Sequence, residues 1–169
     1  MFWFGGALKR AADSVGMTET TRITIDDQAA RAVARELAMR ATAAVGLAGI
    51  ALIHLLDSIG KYHETRYIFW MYVALMVGSL VTAGAVLISH RRIVWSAAAA
   101  IATSAIAGYV ISRTTGLPNA TDDIGNWTEP LGLASLFVEG SLVVLSAAVL
   151  RERAGALALR TPSAAAGLG

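Results

Sequence analysis

Residues 68–89 read IFWMYVALMVGSLVTAGAVLIS and contain no charged side chain. A helix rises 1.5 Å per residue, so about 20 mostly apolar residues are enough to cross the hydrocarbon core of a membrane. This stretch therefore predicts a membrane-spanning helix, and it decides the fold class.

Three further windows of similar length are almost as apolar: residues 41–60, 93–112 and 131–150. The first of them carries His54 and Asp57, and the last carries Glu139. The connections between windows are short except for residues 113–130. The pattern predicts an all-α fold, an integral membrane four-helix bundle with neighbouring helices antiparallel.

The composition supports this prediction. Of 169 residues, 56% are hydrophobic and only 15% are charged, whereas a soluble domain averages about 25% charged residues. A soluble domain of this length could not bury four helices that are apolar all round. The chain contains no cysteine, which excludes disulfides, thiolate metal sites and a cysteine nucleophile. The net charge of +2, without a basic cluster, predicts no nucleic-acid partner.

The flanking charges predict the orientation. Eleven of the fourteen Lys and Arg residues lie before the first window, between the second and third, or after the fourth. Positive residues favour the cytoplasmic side of a membrane. We therefore expect both termini in the cytoplasm and residues 113–130 outside.

The N-terminal residues 1–25 have a different character. Their bulky apolar start, MFWF, indicates an interfacial anchor; the alternatives are a disordered segment and a translation start at Met17. From Asp26 or Asp27 the pattern predicts an amphipathic helix with Ala30, Val33 and Leu37 on one face. Its role would be a collar on the membrane surface or a docking face for a partner. Residues 151–169 are expected to form a flexible cytoplasmic tail.

Small residues four apart allow helices in a membrane to pack closely. Ser104 and Gly108 have this spacing in the third window, and Gly46, Gly49 and Gly78 supply small positions in the first two. We expect Ser104 and Gly108 to face another helix.

Polar residues from all four windows share one depth. Counting the helical rise from Ala41 places them roughly 18 to 24 Å above the inner boundary. This polar layer contains His54, Asp57, Tyr72, Tyr109 and Glu139, with Arg113 reaching down from the outer end of the third window. Ionisable groups at such depth indicate a functional site.

Three interpretations of the layer remain open. His54, Asp57, Glu139 and His63 offer the ligands of a transition metal ion. A buried histidine, carboxylates and tyrosines would also suit a proton relay or a pocket for a small ligand such as a quinone. The structural alternative is a hydrogen bond between His54 and Glu139 that fixes the bundle.

The outer end carries further charges. Lys61 follows Asp57 by four residues and could neutralise it. The longest connection contains Asp122, Asp123 and Glu129, and its glycines and prolines predict an ordered external cap.

A resemblance to a group of known proteins rests on the sequence between the third and fourth windows and its flanks: GYVISRTTGLP at 108–118, DIGNW at 123–127 and EPLGLASL at 129–136, followed by Glu139 and Gly140. This sequence resembles small four-span integral membrane proteins of actinobacteria. The resemblance implies a four-span fold in a bacterial plasma membrane and implies no activity.

No motif of a serine hydrolase, a P-loop or a dinucleotide-binding turn is present in the sequence. The sequence therefore favours a non-enzymatic membrane protein, an accessory or structural subunit with an external cap and a buried polar layer. Its partners would be membrane lipid and either other membrane subunits or a second copy. The alternative is a protein that handles a metal ion, protons or a small ligand in the polar layer.

Overall fold

The computed structural model describes the backbone of residues 5–158 and the side chains of residues 24, 26–59, 62 and 65–156. This part of the chain folds into four helices: α1 (Gly5–Glu64), α2 (Arg66–Ile88), α3 (Arg92–Thr114) and α4 (Pro130–Ala158).

Each of these helices contains a segment long and apolar enough to cross a membrane. Within the described residues the four segments are Asp26–Ile59, Arg66–Ile88, Arg92–Thr114 and Pro130–Ala156. The predicted all-α class and the four spans are confirmed, and the helices pack as a bundle. The chain is therefore a multi-pass membrane protein, with lipid around its outer surface.

The chain divides into two compact units, which are described separately. The first, Met1–Met39, is helical from Gly5, ahead of the predicted helix start at Asp26. Val33 and Leu37 of the predicted apolar stripe are 61% and 60% exposed. The side chains of residues 1–23 lie outside the described residues, so the predicted interfacial, disordered and Met17-start alternatives stay predictions.

The second unit, Arg40–Gly169, contains the packed bundle. Helices meet here at several of the expected glycines. A Cβ built on Gly49 would lie 3.5 Å from Val138, and one built on Gly78 would lie 3.8 Å from Ile101. These are ordinary contact distances, so the missing side chains let α1 approach α4 and let α2 approach α3.

The tightest contact at a described glycine was not predicted from the sequence. It lies between α3 and α4, where a Cβ built on Gly132 would come 2.5 Å from Cε2 of Tyr109. By contrast, a Cβ on Gly108 would meet no heavy atom within 4 Å, and Ser104 is exposed. The expectation that Ser104 and Gly108 pack against a helix is therefore wrong, because both line a cavity instead.

Arginines stabilise the end of the bundle where α2 leads into α3. Arg40 donates to the carbonyl of Leu87 at 3.3 Å and contacts Nδ1 of His90, and Arg153 donates to the carbonyl of His90. Carbonyls in the last turn of a helix have no partner within it. Arg40 supplies that partner for Leu87 and so ties α1 to the last turn of α2, while Arg153 ties α4 to the connection that follows α2.

The C-terminal helix is longer than its apolar window. It continues through Ala158, so residues 151–158 are helical rather than part of the predicted flexible tail. Their sequence, RERAGALA, is rich in strong helix formers, which accounts for the extension. Residues 159–169 lie outside the described part of the chain.

Candidate functional site

The polar layer borders one cavity in the second unit. The cavity has a volume of about 530 Å³ and lies among all four helices and the connection between α3 and α4. Five of the six residues assigned to the layer line it: His54, Asp57, Tyr72, Tyr109 and Arg113. The sixth, Glu139, lies behind the wall.

One corner of the cavity joins α1 to α2. The hydroxyl of Tyr72 donates to Oδ2 of Asp57 at 2.7 Å, and the rings of Tyr72 and His54 meet edge to face with centroids 5.0 Å apart. Nδ1 of His54 lies 2.9 Å from the carbonyl oxygen of Ile50. Only an N–H can donate to a carbonyl, so in the neutral ring the proton lies on Nδ1 and Nε2 is left as an acceptor.

A second corner is built around Arg113 near the end of α3. Its side chain is buried and forms ion pairs with Asp123 at 2.8 Å and Glu129 at 3.5 Å. The guanidinium carbon also lies 5.0 Å from the centroid of the Tyr109 ring. Arg113 therefore compensates the acidic groups of the connection that follows it.

The connection between α3 and α4 forms an ordered wall at this end of the cavity. Its backbone turns through positive φ angles at Gly116, Asn119 and Gly125, a conformation that glycine and asparagine accept readily. The N–H of Gly125 donates to the carbonyl of Arg113 at 2.9 Å, and the hydroxyl of Tyr67 donates to the carbonyl of Pro118 at 2.7 Å. These hydrogen bonds fix the connection between α3 and α4, which explains why the external cap is ordered as the sequence predicted.

Glu129 links the wall to the start of α4. Its carboxylate accepts from the N–H of Leu131 at 3.1 Å and from that of Gly132 at 2.7 Å. These are the second and third residues of the helix, whose free N–H groups a capping side chain usually satisfies. Pro130 suits the first position because it has no N–H to satisfy. Glu129 therefore fixes both the helix start and one side of the cavity.

Glu139 is almost completely buried, with 1% of its side chain exposed, so its predicted interior placement is confirmed. Its hydrogen-bond partner, however, is Ser135, whose hydroxyl donates to Oε1 at 2.5 Å. Oε2 has no partner among the described residues. The direct hydrogen bond expected between His54 and Glu139 is not formed between these two described side chains.

Ser135 also lines the cavity, so one residue borders the cavity and binds the buried carboxyl. Reasoning from the sequence missed this residue, because a serine in an apolar window looks like one more small packing residue. The available signal was spacing: Ser135 precedes Glu139 by four residues, which places both on one helix face.

The remaining wall is largely apolar. It is formed mainly by α2, with smaller contributions from the other elements, and comprises Ile53, Ile68, Met71, Ala74, Leu75, Ala105, Leu117, Ala120 and Leu131. Met71 and Ser104 line the cavity and are also exposed on the bundle surface. Both residues lie within membrane-spanning segments, Met71 on α2 and Ser104 on α3.

The predicted metal ligands are not gathered into one cluster. Among the side chains that the structure describes, no group of three or more His, Asp or Glu residues is placed to hold a metal ion. The side chain of His63 lies outside the described residues, so the four-ligand set of His54, Asp57, Glu139 and His63 stays a prediction.

The arrangement combines a polar end, rich in hydrogen-bond acceptors, with an apolar side at the depth of the membrane spans. Such a combination can orient a small molecule that has one polar group and an apolar body. The fold and the site support an integral membrane protein with four spans. In comparisons with protein-family models, with curated proteins and with solved structures, nothing matches this chain.

Proposed function

We propose that this chain is a multi-pass membrane protein that binds a small amphipathic molecule in the cavity between its helices. The observation that carries the proposal is the cavity itself, about 530 Å³ in volume and lined by five residues of the polar layer together with an apolar wall. Ligand pockets in proteins typically have volumes of about 300 to 1,000 Å³ and combine apolar walls with a few polar groups.

The exposed part of the cavity wall supports an amphipathic ligand. Met71 and Ser104 are exposed wall residues within candidate membrane spans. We place the entrance beside them, so that the molecule would come from the lipid phase, where apolar bodies concentrate. Its polar group would then reach Asp57 and Tyr72, which form the nearest polar corner on α1 and α2.

A structural role is the second candidate, and the internal bonds of the site favour it. Tyr72 bonds Asp57, Ser135 bonds Glu139, and Arg113 pairs with the cap. In this reading the layer fixes the bundle of an accessory or structural subunit. Handling of a metal ion or of protons by the same residues is a further alternative.

The location we propose is a bacterial plasma membrane with both termini in the cytoplasm. The resemblance of residues 108–140 to actinobacterial membrane proteins supports the first part, and the distribution of Lys and Arg supports the second.

The test is to fill the cavity. Gly108 lines it and has open space at its Cβ position, so Gly108→Phe should project a ring into the cavity. Gly84 also has open space at its Cβ position but is not among the wall residues, so Gly84→Phe is the matched control. At both positions an added Cβ meets no heavy atom within 4 Å, so we expect both variants to keep their helices, and circular dichroism checks this.

The probes are 1-adamantanemethanol, 1-adamantanemethylamine and 1-adamantanecarboxylate, whose shared apolar body is smaller than the cavity. Binding is measured from the thermal unfolding of the protein in phosphatidylcholine nanodiscs, followed by circular dichroism. We expect saturable stabilisation of the wild type and of Gly84→Phe by at least one probe, and its loss in Gly108→Phe. Stabilisation by none of the three, or stabilisation that Gly108→Phe leaves intact, would contradict the proposal.

A further inference from the structure

We propose that the ligand of this cavity is an organic cation, whose ammonium group binds at Asp57 and whose apolar body lies along α2. This inference rests on the proposed function, because it names the chemical class of the molecule that the cavity takes. Three features of the described wall support it: the balance of charge, the direction of its hydrogen bonds and the position of its apolar side chains.

Among the described residues of the wall, the charges are predominantly negative. Its ionisable groups include three carboxylates, Asp57, Asp123 and Glu129, and one guanidinium, Arg113. Arg113 directs its two terminal nitrogens to Asp123 and Glu129. Asp57 is not among these ion-pair partners of Arg113, and the hydrogen bond that it accepts comes from a neutral hydroxyl, that of Tyr72. A cation would balance the charge of Asp57, whereas an anion would meet an excess of carboxylates.

The hydrogen bonds of the wall leave acceptors rather than donors. Each described wall hydroxyl already donates within the protein: Tyr72 to Asp57, Ser104 to Ile101, Tyr109 to Trp127, Ser112 to Tyr109 and Ser135 to Glu139. His54 likewise donates through Nδ1, which leaves Nε2 as an acceptor.

Arg113, the charged hydrogen-bond donor among the described wall residues, is not available to a ligand either. Arg113 is 7% exposed, its terminal nitrogens are ion-paired, and its Nε, which has no partner, is itself buried. A ligand that only accepts hydrogen bonds, such as a ketone or an ester, would therefore find few partners among the described side chains. An ammonium group donates and carries positive charge, so it matches both properties of the wall.

The apolar side of the cavity lies next to Asp57. Ile53 precedes Asp57 by four residues on α1, and Ile68 and Leu75 lie on α2 on either side of Tyr72. An ammonium group at Asp57 would therefore place its apolar substituent against these side chains. The result is a site for a hydrophobic amine rather than for a simple metal cation.

The three adamantane probes distinguish a cationic ligand from a neutral and an anionic one, because they share one apolar body and differ in the polar group and its charge. At pH 7 in zwitterionic nanodiscs, with protein-free nanodiscs subtracted, we expect the amine to bind about tenfold more tightly than the alcohol. The carboxylate should bind most weakly of the three.

Asp57→Asn tests whether the carboxylate of Asp57 binds the ammonium group. The amide oxygen still accepts from Tyr72, so the fold is retained, and circular dichroism checks this. The variant should bind amine and alcohol with equal affinity to within about twofold. Asp122→Asn is the matched control, because Asp122 is an exposed carboxylate of the cap that does not belong to the wall; it should keep the preference for the amine.

Lys61→Met tests whether the ammonium group of this lysine competes with the ligand for Asp57. Because Lys61 follows Asp57 by four residues, its removal should leave amine binding unchanged or tighten it, and loss of amine binding in this variant would argue against the proposal.

The outcomes separate the two proposals. If the alcohol binds as tightly as the amine and Gly108→Phe abolishes this binding, the cavity takes ligands but not cations, and the inference is wrong while the proposed function stands. A preference for the amine that survives in Asp57→Asn overturns the inference in the same way. Failure of all three probes to bind overturns both.

Discussion

A carboxyl group within a membrane-spanning helix is costly, and Glu139 illustrates how one residue reduces that cost. Insertion scales place a charged side chain near the centre of a membrane at about 2.5 to 3.5 kcal/mol. Burial inside the bundle removes Glu139 from lipid, and the hydroxyl of Ser135 satisfies one of its two oxygens. The charge made Glu139 visible in the sequence, whereas its partner could be identified only from the structure.

Serine-to-alanine substitutions on α4 measure this bond. Ser135→Ala removes the donor and leaves both carboxyl oxygens of Glu139 without a partner, which should cost about 1–3 kcal/mol. Ser146→Ala is the matched control: it is also buried on α4, but its hydroxyl has no hydrogen-bond partner among the described residues. Thermal unfolding in detergent should show a lower Tm for Ser135→Ala and no loss for Ser146→Ala. Equal Tm values for the two variants would indicate that the bond does not stabilise the bundle.

At the scale of the elements, the α3–α4 pair depends on features that sequence patterns reveal unequally. The glycines and prolines of residues 113–130 predicted an ordered connection, and the positive φ angles of Gly116 and Gly125 show why glycine is needed there. The role of Glu129 was not predicted, because glutamate is not among the preferred capping residues. It caps α4 through a longer side chain, positioned by its ion pair with Arg113.

Gly132 sets the distance between α3 and the first turn of α4. A Cβ at this position would overlap the ring of Tyr109 and would lie 2.9 Å from Oε2 of Glu129, which is the atom that caps the helix. Gly132→Ala should therefore destabilise the protein by about 1–3 kcal/mol, the usual cost of overpacking. Gly140→Ala, at a position of the same helix with open space, should leave Tm unchanged or raise it, since alanine favours a helix. The comparison of the two melting curves tests this, and a neutral Gly132→Ala would show that Tyr109 moves aside without cost.

At the scale of the whole molecule, sequence reasoning predicted what depends on helix length and missed what depends on helix rotation. Apolar length identified the four spans, and the rise per residue brought His54, Asp57 and Tyr72 to one depth, where the structure joins them. The cavity depends on which face each helix turns inward and on how far apart the helices stand. Gly108 shows the difference, because its small size was compatible both with a helix contact and with a cavity wall, and only the packing decides.

The orientation of the whole molecule in the membrane is the remaining prediction. The end of the bundle with Arg40, Arg92 and Arg153 should face the cytoplasm, and the acidic connection at residues 115–129 should face outward. The chain has no cysteine, so single cysteines introduced at Ala120 and at Ser163 report on one side each without background. In intact cells an impermeant maleimide should label position 120 alone, and permeabilised cells should label both, which controls for reactivity. Labelling of position 163 but not of position 120 in intact cells would invert the topology. The cap and the nearby polar corner of Asp57 would then face the cytoplasm.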